Sequence, residues 1–276
     1  MRIIRELTEL PPAYDGAFIP TMGALHEGHF ALIRRAVRTP HRPIVVSIFV
    51  NPTQFAPGED FERYSRNFEE DYEKAQVAGA EVIFAPSVKA MYPPDTQIPI
   101  PPLPKVAREP GLEESSRPGH FEGVCQVVAR LFDLLKPRCA VFGEKDYQQL
   151  LVIRAMVEHE GERWDGLEII SHETVRESDG LALSSRNVNL DTEQRSRATG
   201  LSKALQQASE SSSPPAAEAA MRRILDDHDL EIAYAVVRDA ETLMAVETLE
   251  KPTRALIAAW LGNVRLIDNL AIPASI

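Results

Sequence analysis

Two histidines three residues apart, His26 and His29, close the stretch Ile19-Pro20-Thr21-Met22-Gly23-Ala24-Leu25-His26-Glu27-Gly28-His29. Here a short apolar segment gives way to an amphipathic helix. Ala17, Phe18 and Ile19 have the character of a buried strand end, Pro20 offers no N–H for further pairing, and Gly23 and Gly28 let backbone pass close to a ligand. Leu25, Leu32, Ile33, Ala36 and Val37 recur at helical spacing, which sets both imidazoles on one face of the opening turn. A helix start carries roughly half a positive charge and unpaired N–H groups, so it binds phosphate readily. An H-x-G-H at this place is therefore a candidate for holding and polarising the phosphates of a nucleotide. Zinc is the competing chemistry, but it requires a third and a fourth ligand, and Cys125 and Cys139 lie far off without C-x-x-C spacing. No metal ligand is assigned.

The elements that must position these groups follow from the apolar pattern. Ile44 to Val50 is a nearly continuous apolar, β-branched run, as expected of a strand buried on both faces of a parallel sheet. It ends in Asn51-Pro52-Thr53-Gln54. Asp60 to Ala78 has helical spacing and leads through Gly79 into a strand at Glu81–Ala85. Val124, Val127, Leu131 and Leu134 mark a helix stopped by Pro137, and Ala140-Val141-Phe142 is a strand running straight into Gly143-Glu144-Lys145-Asp146. A further helix reaches about Glu160, and Leu167–Ile170 is a fifth strand. Alternation of this kind implies an α/β fold with a doubly wound parallel sheet, whose ligands bind beyond the C-terminal strand ends. His26, His29, Gln54, Lys145 and Asp146 are expected to converge there.

Two regions depart from that pattern. Residues 86–118 hold nine of the twenty-one prolines and are expected to form extended, irregular cover or a lid. Beyond about Val188 the chain reads as a small α+β domain, with helices to Ser209 and His228 and antiparallel strands around 235–237, 255–260 and 264–267 joined at Gly262-Asn263. The expected division is residues 1–175 for the sheet domain and 176–276 for the small C-terminal domain.

Composition sets limits on partners. With 276 residues, 44% hydrophobic and 26% charged, the chain has the make-up of an ordinary globular protein with a sizeable core. A net charge of −11 argues against non-specific binding to nucleic acid or an anionic membrane. The N-terminal MRIIRELTEL lacks a signal-peptide apolar run, and no segment approaches the roughly 20 apolar residues of a membrane span. Two cysteines, both read as core, suit a reducing compartment, and the expected location is the cytoplasm.

PTMGALHEGH, FVNPTQF, RPGHFEGV, FGEKDYQQL and DGLALSSRN, in this order and with a closing RLIDNL, closely resemble the pantothenate synthetase family, AMP-forming pantoate:beta-alanine ligases of the HxGH nucleotidylyltransferase superfamily. The resemblance spans nearly the whole chain. It implies a Rossmann-like domain, ATP as substrate with Mg²⁺, pantoate and beta-alanine as the acids joined, a pantoyl-adenylate intermediate, and a homodimer. By the family's pattern Met22, Gly23, Ala24, Leu25, His26, Glu27, Gly28 and His29 form the ATP loop. Gly143, Glu144, Lys145, Asp146, the backbone at Val175, and Leu183, Ser184, Ser185 and Arg186 lie on the nucleotide. His29 would be the general acid near the leaving group, and Gln54 and Gln149 would hold pantoate, Gln54 also approaching beta-alanine. The chain departs from the pattern at Tyr64-Ser65-Arg66, where Tyr-Pro-Arg is expected, in its short N-terminal helix, and in its proline-rich lid.

Chemistry supports the same residues. When a carboxylate oxygen displaces pyrophosphate from the α-phosphorus, the charge that develops must be met by fixed donors. His26 and His29 fit one side of that phosphate, Lys145 and Arg186 the other, with the hydroxyls of Ser184 and Ser185 adding hydrogen bonds. Glutamine amides both donate and accept, which suits a hydroxy acid at Gln54 and Gln149. Asp71, where the resemblance places a carboxylate near Mg²⁺, has the alternative of a polar helix face. Rival readings are a nucleotidylyltransferase for another small substrate and a catalytically inactive nucleotide-binding module.

Overall fold

The computed structural model describes residues 1–55 and 67–274. The chain divides into two units, one made of Met1–Arg108, Glu113–Glu144 and Gln149–Glu173, the other of Glu109–Leu112, Lys145–Gln148 and Thr174–Ile276.

The first unit is built on a parallel sheet of β1 (Arg2–Ile4), β2 (Ala17–Thr21), β3 (Ile44–Ile48), β4 (Val82–Phe84), β5 (Cys139–Gly143) and β6 (Glu168–His172), in the order β1-β4-β3-β2-β5-β6. The order reverses between β2 and β5, and this is the topological switch point where such sheets bind ligands. Connections run through α1 (Glu27–Val37), α2 (Phe68–Ala78), three short helices α3 (Val88–Met91), α4 (Lys105–Arg108) and α5 (Leu112–Ser116), then α6 (His120–Leu135) and α7 (Tyr147–Glu160). Alternation along β2 covers both faces of the sheet. Ala17 and Ile19 pack in one cluster with Ile33, Ala36, Ile44, Val46 and Val141. Phe18, between them, meets Phe132 of α6 edge-on at 6.3 Å, and Phe132 in turn meets Trp164 at 5.5 Å.

Six strands replace the five expected. The extra one, β1, pairs Arg2, Ile3 and Ile4 with Val82, Ile83 and Phe84. Three residues are too short for an alternating pattern to stand out, and the expected N-terminal helix is only a 3-10 turn at Leu7–Glu9. The helix expected over Asp60–Ala78 is described from Asn67, whose side chain caps it by accepting from the Glu70 N–H. The remainder of that stretch, with Tyr64-Ser65-Arg66, lies outside the described residues. The proline-rich segment carries α3, α4 and α5, and it buries Met91 and Ala107 completely. Cys125 and Cys139 are buried and unbridged, and burial pushes the Cys125 thiol up to about 12.

The second unit contains α8 (Thr192–Ala198), α9 (Gly200–Ser209), α10 (Pro214–Asp227) and an antiparallel sheet of β7 (Glu231–Asp239), β8 (Thr253–Leu261) and β9 (Val264–Ile272) in the order β7-β8-β9. Alternate residues of β8 from Ala255 on, namely Ala255, Ile257, Ala259 and Leu261, join Leu201 and Leu205 of α9 and Met221 and Leu225 of α10 in one core. Gly262, at a φ of 57°, makes the turn from β8 into β9. Trp260, near that turn, stays 36% exposed, whereas Trp164 in the first unit is 7% exposed.

Candidate active site

The H-x-G-H loop leaves β2 at Thr21, whose hydroxyl donates to the Ser47 carbonyl of β3 and accepts from the Gly23 N–H. Gly23 has a φ of 88° and Ala24 one of 52°, the left-handed region, so the chain turns sharply before α1. Asp71, at the start of α2, holds this turn: its two carboxylate oxygens accept from the N–H groups of Ala24 at 2.8 Å and Leu25 at 2.7 Å. The residue is 3% exposed, so Asp71 faces inward and is not on a polar helix face. Burial raises its carboxyl above the ordinary aspartate value, and the two backbone N–H groups oppose that shift.

His26 is the N-cap of α1 and accepts at Nδ1 from the Gly28 N–H at 3.2 Å, while His29 Nδ1 accepts from the His26 N–H at 3.3 Å. This is a capping box made by two imidazoles. Their ring centroids lie 4.2 Å apart on one face of the first turn. The histidines thus take up N–H groups that the sequence alone would leave for a phosphate. A ring that accepts at Nδ1 carries its proton at Nε2, so each histidine is set to donate from Nε2. Glu27, between them, is exposed and pairs with Arg34.

Gln54 ends the turn after β3. Its Nε2 donates to the Met22 sulfur at 3.0 Å, and its Oε1 accepts from Asn51 Nδ2 at 3.3 Å. Asn51, 1% exposed, also donates to the Gly123 carbonyl and accepts from the Tyr92 hydroxyl at 2.8 Å. A Cβ at Gly123 would stand 2.3 Å from the Thr53 carbonyl oxygen, so only glycine lets α6 come this close to the turn. His120 Nδ1 lies 3.0 Å from the Gln54 carbonyl. Sequence reasoning did not assign Asn51, Tyr92, His120 or Gly123, although FVNPTQF and RPGHFEGV contain three of them. Gly143 closes β5, and Gln149 is half-buried on α7.

In the second unit Lys145 sits in the 3-10 turn Glu144–Asp146, its ammonium 3.7 Å from Asp146 Oδ1 and its side chain 18% exposed. The Val175 carbonyl accepts from the Leu183 N–H, closing a loop in which Arg176 pairs with Ala182. The Ser184 oxygen accepts from the Arg186 N–H at 3.2 Å, capping the 3-10 turn Ser185–Asn189. That cap fixes the backbone under Arg186 and leaves the Ser184 O–H able to donate. Among the described residues no group of three or more His, Cys, Asp or Glu side chains could hold a metal ion, and no helix is long and apolar enough to cross a membrane.

A family model described as pantoate-beta-alanine ligase matches residues 3–271. A pantothenate synthetase of Mycolicibacterium smegmatis is 48% identical over 258 residues, which cover 92% of this chain and 79% of the relative. The crystal structure of pantothenate synthetase from Thermus thermophilus superimposes with a TM-score of 0.92 at 41% identity, covering 99% of this chain and 100% of that one. A pantoate-beta-alanine ligase from Francisella tularensis, solved with beta-gamma ATP and beta-alanine, gives a TM-score of 0.80 at 32% identity over 98% of this chain and 97% of that one.

Proposed function

The chain belongs to the pantoate-beta-alanine ligase family and is an ATP-binding ligase that joins pantoate to beta-alanine, and on that premise we propose how its residues divide the work. The reaction runs in two steps. A pantoate carboxylate oxygen attacks the α-phosphorus of ATP, the bond to the bridging oxygen breaks, and pyrophosphate leaves. The beta-alanine amine then attacks the acyl carbon of the pantoyl-adenylate, AMP leaves, and the amine gives up a proton.

The Nε2 donors of His26 and His29 carry this reading, because their Nδ1 atoms are already committed to backbone N–H groups. Held in this way, they meet the charge that builds on the phosphates without reorganising. His29 acts nearest the leaving pyrophosphate, and Lys145 and Arg186 supply cationic contacts. Met22 to His29, Gly143 to Asp146, the Val175 backbone and Leu183 to Arg186 form the nucleotide contacts. Gln54 and Gln149 bind pantoate. The Gln54 amide donates to a thioether, a weak acceptor, so a substrate carboxylate or hydroxyl exchanges for it with a net gain in hydrogen bonding.

Mg²⁺ fits as an ion carried in by the nucleotide. Such ions are bound largely by phosphates and water with few protein carboxylates, and both oxygens of Asp71 already accept backbone N–H groups. When bound it neutralises phosphate charge. A homodimer in the cytoplasm completes the proposal, supported by the family resemblance and by two unbridged cysteines. Light scattering at micromolar concentration tests the dimer. The reaction order is tested by isotope exchange between pyrophosphate and ATP, which should require pantoate and proceed without beta-alanine. Exchange that strictly needs the amine would rule out an adenylate formed before the amine enters.

A further inference from the structure

The closing motif Arg265-Leu266-Ile267-Asp268-Asn269-Leu270 has no part in the scheme above, yet two of its side chains are among the most buried polar groups of the second unit. Asp268 and Asn269 are each 3% exposed and adjacent on β9. Asn269 uses both ends of its amide. Oδ1 accepts from Arg254 Nε of β8 at 2.7 Å, and Nδ2 donates to the backbone carbonyl of Lys145 at 2.8 Å. Arg254 is paired with Ala271 in the ladder, which puts it diagonally across from Asn269 on the same face. Its guanidinium lies over the Tyr147 ring, 3.8 Å from the centroid, and the Tyr147 hydroxyl donates to the Ala240 carbonyl at 2.9 Å. Lys145 and Tyr147 are therefore both fixed to this sheet. Asp268, the neighbouring residue on β9, binds Arg176 through its two terminal guanidinium nitrogens at 2.6 and 2.9 Å, and Arg176 also donates to the Gly180 carbonyl. One strand thus grips the Lys145 turn and the loop that follows Val175.

We propose that Asn269, backed by Arg254, is a positioning residue for the Lys145 turn, with Asp268 doing the same for the Val175–Arg186 loop through Arg176. The inference rests on the reading of Lys145 as a nucleotide contact. An amide suits position 269 because it must accept from a guanidinium and donate to a carbonyl at once. Asn269→Asp keeps the acceptor for Arg254 and turns the Lys145 side from donor to acceptor, so the carbonyl is repelled and the turn moves while the sheet keeps its pairing.

A double-mutant cycle of Asn269→Asp with Lys145→Ala separates the possibilities. Asn269→Asp should lower kcat/KM for ATP roughly tenfold or more while leaving the KM for pantoate unchanged. In the Lys145→Ala background, which is itself strongly impaired, it should cost nothing further. A purely structural role would lower the melting temperature and leave the kinetics of the folded enzyme alone, and that result, or losses that multiply in the double variant, would overturn the proposal. If Lys145→Ala alone left ATP kinetics intact, the reading of Lys145 as a nucleotide contact would fail first. Asn269→Leu, which keeps the branched shape and removes the amide's hydrogen bonds, carries the same cycle if the aspartate variant does not fold.

Discussion

His29 holds two jobs in one ring, since Nδ1 caps the helix and Nε2 carries the proton. The two can be separated. A glutamine at the third helical position makes the same back-bond to the N-cap N–H, so His29→Gln should keep the cap and with it the melting temperature. It replaces a ring that can give its Nε2 proton to the leaving group by an amide that cannot, and adenylate formation in a single turnover should fall about 10²- to 10⁴-fold. Unchanged turnover in a stable His29→Gln protein would reduce the residue to a cap. Asp71 offers a second test. Its carboxyl is raised by burial, so the native chain binds the proton more tightly than the unfolded chain does. Stability from this group is then fully present below the unfolded value of about 4 and is lost as the pH rises through the folded value. The melting temperature of wild type minus that of Asp71→Asn should decline across that window, and a difference that rises instead would contradict the assigned cause.

At the scale of elements, the turn after β3 is held from behind by α6. Gly123→Ala would drive a methyl into the Thr53 carbonyl, where the gap is 2.3 Å, and displace Gln54 with it. A loss of about 1–3 kcal/mol in stability is expected from the overpacking, measured by urea unfolding. The KM for pantoate should rise more than that for ATP, and equal rises would place Gln54 elsewhere. Local signals made much of this legible. The run Ile44–Val50 declared a strand buried on both faces, observed over Ile44–Ile48, and the change of spacing at Leu25 declared the start of α1. What stayed hidden depends on distant partners. Nothing near Asp71 in sequence shows that its oxygens meet Ala24 and Leu25, and nothing near Asn269 points to Lys145. Likewise β1 becomes a strand only because β4 offers an edge to pair with. The helices of the proline-rich stretch each span only four or five residues, too few for a helical spacing to stand out.

For the molecule as a whole, the first unit takes its form from a parallel sheet covered on both faces and the second from helices packed on one antiparallel sheet. The ligase reaction was readable because motifs spread over nearly the full length occur in one order, which no single motif could establish. The chain has two tryptophans, and they divide evenly: Trp164 is buried against Phe132 in the first unit, and Trp260 is partly open in the second. Each unit therefore carries its own fluorophore. Trp164 should emit to the blue and resist acrylamide quenching, and Trp260 should emit to the red and be quenched readily. With Trp260→Phe and Trp164→Phe proteins, urea titration followed by emission would report each unit's unfolding separately. Coincident midpoints would mean that the two units melt as one cooperative body, and separated midpoints would show which of them gives way first.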